Sequence, residues 1–178
     1  MFRRIQWICV LVSMIALHAM ADVANGQQTG SQLKIVGTYQ IEQGQRHGWL
    51  ILNLEIPTGS HVYALTQEGN PPPTKIKLAE SDNFELMRGF EANKAPHVEE
   101  QDPVFGQRVE SHEGKVAFMA PIRVADGVDL ENVVFDLKFH GQVCNDSGCI
   151  PVFNRPVEID FAGFYEEEEK SGKEDNGQ

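Results

Sequence analysis

Cysteine is scarce in this chain, with three in 178 residues, and Cys9 lies in an apolar N-terminal stretch. That leaves Cys144 and Cys149, which excludes both a disulfide-dense scaffold and a C-x-x-C metal or redox motif. Basic residues are also few. The chain has 15 Lys and Arg against 26 Asp and Glu, a formal charge of −11. No basic stripe offsets that balance, so nucleic acid and anionic membrane surfaces are poor partners. Beyond the N-terminus no segment approaches 18 consecutive apolar residues, as a membrane-spanning helix requires. Sustained helical periodicity is missing too, which argues against a bundle. No Ser/His/Asp arrangement, phosphate-binding glycine loop or paired-carboxylate signature stands out, so hydrolase, kinase and glycosidase chemistry find no support.

The N-terminus carries Arg3 and Arg4, an apolar run over 5–17 and then Ala19-Met20-Ala21, the small-x-small form of a signal-peptidase site. Residues 1–21 are therefore expected to be a signal peptide and the protein to be exported, periplasmic or otherwise extracytoplasmic. Cys9 would be lost, and Gln6-Trp7-Ile8 before it lacks the small residues of a lipidation site. No membrane insertion is expected after cleavage. Residues 22–32 read as a flexible leader, 33–164 as one domain and 165–178 as a disordered acidic tail, because EEEEKSGKEDNGQ from Glu166 holds no apolar residue.

Between leader and tail, short alternating or β-branched runs recur at 33–42, 49–56, 61–65, 75–79, 84–88, 108–111, 115–124, 133–143 and 156–161. Turn signals such as Pro57-Thr58-Gly59-Ser60, Glu113-Gly114 and Ala125-Asp126-Gly127 separate them. Many short strands with frequent turns predict an all-β, antiparallel sandwich or barrel. The last long run alternates, with Val133, Phe135, Leu137 and Phe139 on one face and Val134, Asp136, Lys138 and His140 on the other. Trp49 is expected in the core. His47, His97 and His112 fall in predicted turns or loops and are expected to face solvent.

That run delivers the chain to Cys144-Asn145-Asp146-Ser147-Gly148-Cys149. Five extended steps would part the two Cα atoms by about 17 Å, whereas a disulfide needs about 4.4 to 6.8 Å. The chain must therefore reverse, and Asn, Asp, Ser and Gly suit a turn. Closing so small a ring gives only about 2 kcal/mol, so the pair reads as a redox couple on a hairpin tip rather than a staple. Two other readings stay open: an immunoglobulin-like binding module with a structural disulfide, and a Cu or Zn site using His140, Cys144 and Cys149. Three ligands without C-x-x-C do not make a recognised closed zinc pattern, so neither metal nor other cofactor is expected. The loop over 95–106, acidic and ending in Val104-Phe105-Gly106, reads as a core-returning connection or as a lid over the reactive pair.

The chain resembles the N-terminal periplasmic domain of the disulfide reductase DsbD, an immunoglobulin-like domain that passes electrons by thiol–disulfide exchange. The resemblance runs from about Leu33 to Phe161. It is carried most specifically by HGQVCNDSGCIP over 140–151, and supported by GSHVY over 59–63, GNPPPTKI over 69–76, and Val104-Phe105-Gly106 followed by 116–122. It implies that Cys144 and Cys149 exchange, with Cys149 forming the mixed disulfide. It also implies that the loop from Asp102 to Gly106 caps the pair through Val104 or Phe105, and that Tyr63 and His61 occupy positions where the family has tyrosines beside the cysteines. The implied activity is that of a protein-disulfide reductase component, a thiol–disulfide oxidoreductase whose partners are thioredoxin-fold or membrane disulfide-reductase proteins. The better-known members have one more residue between the cysteines. The multi-helix membrane domain and terminal thioredoxin-like domain of the full reductase are absent, so donor and acceptor would be separate proteins.

Overall fold

A computed structural model describes residues 32–166. The expected signal peptide, most of the leader and the tail from residue 167 lie outside the described residues. Twelve strands and no helix make up the described chain: β1 Lys34–Glu42, β2 His47–Glu55, β3 His61–Tyr63, β4 Lys75–Leu78, β5 Phe84–Leu86, β6 Glu91–Ala92, β7 His97–Glu99, β8 Val109–Glu113, β9 Lys115–Val124, β10 Leu137–Asn145, β11 Gly148–Val157 and β12 Ile159–Tyr165.

They form two sheets. One has the order β12-β1-β2-β9-β5, with β6 also on β9; the other has β11-β10-β3-β8-β7, with β4 also on β10. All pairs are antiparallel except β1 with β12. The result is a sandwich, one of the two architectures the strand pattern predicted, and of the immunoglobulin-like kind that the resemblance implied.

The core follows from the two-residue period of strand side chains. Leu50, Leu52 and Leu54 of β2 and Val116, Phe118, Ile122 and Val124 of β9 face Val62, Leu137, Phe139 and Val157 of the other sheet. Fully burying each such side chain contributes about 1.5–3 kcal/mol. Trp49 is displaced from its expected place. Leu50 takes the inward position, so its neighbour points outward and is only half-buried, lining a shallow groove with Met119 and Pro121.

Val133 and Phe135 are buried as their alternation required, although ladder pairing begins only at Leu137. That stretch is fastened by Tyr39. Its hydroxyl donates to the Leu130 carbonyl at 3.0 Å and accepts the Val133 N–H at 3.1 Å. Burial raises the Tyr39 pKa, so the hydroxyl keeps its proton for that bond.

The edge strand β11 was not legible as one element. The strand holds Pro151, Pro156 and Asn154, which has φ of 46°, and an edge strand tolerates proline because one side of it needs no donors. A bulge between Phe139 and Gly141 absorbs the irregularity at Asn154.

Candidate functional site

Strands β10 and β11 meet in a two-residue turn, Asp146-Ser147, between the paired Asn145 and Gly148. The Asn145 side chain shapes it, its Oδ1 accepting the Ser147 N–H at 2.9 Å. Gly148 has φ of 136°, a conformation open to residues without a Cβ. This short reversal makes Cys144 and Cys149 direct partners in the ladder, joined by a disulfide with Cα atoms 4.0 Å apart. That spacing belongs to the close, non-hydrogen-bonded kind of antiparallel pair, about 4.5 Å, rather than the wider kind, about 5.5 Å.

The two cysteines differ in access. Cys144 is 2% exposed, whereas Cys149, on the edge strand, is an exposed residue. Cys144 lies on the outer face of its sheet, since Val143 beside it packs on the core. There it clusters with Tyr63 of β3 and Val109 of β8, and Phe105 packs against that cluster as a cover. The Tyr63 and Phe105 rings meet edge to face, with centroids 6.4 Å apart. Backbone bonds hold Tyr63 in place: its carbonyl accepts the buried Thr74 hydroxyl at 2.6 Å.

Phe105 is aimed inward by Asp102. The Oδ1 of Asp102 accepts the N–H groups of Val104 at 2.8 Å and Phe105 at 2.9 Å. The Asp102 backbone closes the loop, donating to the Gln107 carbonyl at 3.0 Å and accepting the Gly106 N–H at 2.7 Å. Gly106, with φ of 67°, supplies the left-handed step. The Gln107 side chain donates to the Asn70 carbonyl, tying this loop to the proline-rich one. Of the two neighbours expected to shield the sulfurs, Phe105 packs on the cluster and Val104 is 81% exposed.

His61 is the register partner of Cys144 on β3, and its ring meets that of Tyr63 at 5.2 Å. Burial lowers its pKa, while Glu113, Asp102 and Asp146 pull in the opposite direction. Burial raises the Tyr63 pKa, and the Asp102 charge adds to the rise. The structure brings Cys144, Cys149, Tyr63, Phe105, Asp102 and His61, all named from the sequence, to one spot. Sequence reasoning missed Val109 and Glu113. The two-residue period of β8 carries both onto the same face as Ser111, the register partner of Tyr63.

His112 corrects its expected exposure. It lies inside β8 on the core side, 2% exposed, with its ring 5.7 Å from that of Phe118. The turn signal at Glu113-Gly114 begins one residue later than it suggested. His140 sits beside Phe153, ring centroids 5.4 Å apart. Among the described residues no group of three or more His, Cys, Asp or Glu side chains is placed to hold a metal ion, which leaves the set of His140, Cys144 and Cys149 without geometric support.

The arrangement offers one accessible sulfur, one protected sulfur and a separate segment closing over the second. The sequence model of the family described as thiol:disulfide interchange protein DsbD, N-terminal, matches residues 31–160. No curated protein sequence matches the chain.

Proposed function

The chain belongs to the family of DsbD N-terminal domains, and on that premise we propose that it relays reducing equivalents in an extracytoplasmic compartment through Cys144 and Cys149. Domains of this family are periplasmic and take part in thiol–disulfide transfer with thioredoxin-like proteins in general. The observation that carries the reading is the unequal exposure of two directly paired cysteines. A partner thiolate must approach a sulfur in line with the bond it breaks, and Cys149 is the one on the open edge.

In the forward step a donor's thiolate attacks Cys149, and Cys144 leaves with the electron pair. The donor's second thiol then resolves the mixed disulfide, leaving the relay as a dithiol. In the discharge step the Cys149 thiolate attacks an acceptor's disulfide, and Cys144 closes the ring and frees the acceptor's second thiol. Phe105 shields the buried end of the pair between encounters, and Asp102 and Tyr63 support it. Residues 1–21 act as the export signal, and donor and acceptor are membrane or thioredoxin-like proteins.

The test is the potential of the pair, measured by equilibrating the protein with glutathione buffers and counting free thiols. A relay interconverts within the glutathione range. A bond with a potential below about −300 mV, the range of structural disulfides, would sink the relay and leave a passive binding module.

A further inference from the structure

Closing the ring requires the buried cysteine to act as a nucleophile, and a desolvated thiol is a poor source of thiolate. No Lys or Arg lies between Gly141 and Asn154 to favour one. The imidazole placed beside Cys144 in the ladder is that of His61. His61 is the backbone partner of Cys144, and side chains so paired on one face stand about 4.5–5.5 Å apart at Cβ. The edge-to-face contact with Tyr63 holds the ring on that face. Three carboxylates lie within electrostatic range of it, each from a different element: Glu113 on β8, Asp102 in the covering loop and Asp146 in the hairpin turn. Glu113 is its register partner on the side away from Cys144.

We propose that His61 is the proton acceptor for the Cys144 thiol, leaving a thiolate–imidazolium pair that lets the buried cysteine close the ring at neutral pH. The step rests on the relay reading above. Starting from a mixed disulfide between Cys149 and a partner, the Cys144 proton passes to the imidazole. The thiolate attacks Cys149 Sγ, the Cys144–Cys149 bond forms and the bond to the partner's sulfur breaks. The partner leaves as a thiolate with the electron pair and takes up a proton from the imidazolium or from water. The chain's dithiol has lost two electrons and the partner's disulfide has gained them. In reverse, the imidazolium returns its proton as Cys144 is expelled.

Two properties fit His61 to this task. Burial keeps the imidazole neutral and ready to accept a proton before the step. The surrounding carboxylates favour the cation once it forms, as the carboxylate partner of an imidazole does in hydrolytic triads. A tyrosine here, as the resemblance implies for related domains, could support packing but would stay protonated near pH 7.

The experiment uses the reduced, full-length mature protein and a symmetrical aromatic disulfide whose released thiolate is coloured. With excess reagent, release of the first thiolate depends on reagent concentration, and release of the second reports ring closure by Cys144 and does not. A thiol with a pKa of about 8.5 is only about 3% ionised at pH 7, so removing the acceptor should slow closure there by about tenfold or more. In His61→Gln the closure rate should also fall about tenfold per pH unit from pH 8 to pH 6, as for an unassisted thiol, while the wild-type rate changes far less. His61→Tyr, which keeps an aromatic ring against Tyr63, should behave like His61→Gln.

A wild-type closure rate and pH profile in either variant overturns the proposal and leaves the relay standing. Release of only one equivalent by the wild-type protein means that the pair does not cycle, which overturns both.

Discussion

The ring of Phe105 stands edge-on to that of Tyr63 at 85°, and the two close over Cys144 from opposite elements, one a loop and the other a strand. Tyr63 is fixed in the ladder, so any opening of the cluster must come from the loop. That asymmetry sets the first prediction.

Phe105→Ala removes a ring contact worth about 0.5–1.5 kcal/mol. Alkylation of reduced Cys144 by iodoacetamide should then speed up by about 2- to 10-fold, while Cys149, already exposed, changes little. Mass spectrometry of the separately labelled cysteines reads both rates. Equal rates in the variant and the wild-type protein would remove Phe105 from the cover.

Replacing Cys144 and Cys149 together by alanine should cost only about 2 kcal/mol of stability, the chain-entropy value for so small a ring. Urea denaturation of the oxidised wild-type protein and the double variant measures the difference. A loss of the whole fold would mark the bond as a staple.

Acid should weaken the fold through His112. Burial first, and then the Lys94 ammonium, hold its pKa below the ordinary value, with Glu110 opposing. The unfolded chain therefore binds the proton more readily. The stability this group contributes is complete above its unfolded pKa of about 6.5 and is lost as pH falls through the lower folded value. His61 has the same sign. Urea midpoints should drop between pH 7.5 and pH 5, and drop less in His112→Leu, with the His61 share remaining. An equal drop in both proteins would relieve His112 of that part.

Tyr39→Phe leaves the Leu130 carbonyl and the buried Val133 N–H without their hydroxyl partner. The cost should be about 1–3 kcal/mol, read as a lower urea midpoint with an unchanged slope. A neutral substitution would show that water replaces the hydroxyl there.

The sandwich was legible in the sequence because its strands alternate locally, and Leu50, Leu52 and Leu54 give the pattern in full. The cysteine hairpin was legible because four turn-forming residues between two cysteines leave the chain one course. Trp49 was expected in the core, but the two-residue period that buries Leu50 places it outside. His112 misled because a nearby turn signal masked one more strand residue, and strand β11 was hidden by prolines that only an edge position accommodates. The choice between Val104 and Phe105 was out of reach for a different reason. Adjacent residues differ only in the direction the loop gives them, and that direction comes from the two amides gathered by Asp102.

The register that sets Cys144 against Cys149 is shared by neighbouring rungs, from Leu137 with Val157 to Asn145 with Gly148. Cutting the bridge removes none of those rungs, so on the proposed relay reading the loaded and empty carrier are expected to present the same silhouette. Nothing at a distance announces which one a passing protein has met. On that reading the difference would be felt only on touch, and choice among partners would fall to the moment of collision.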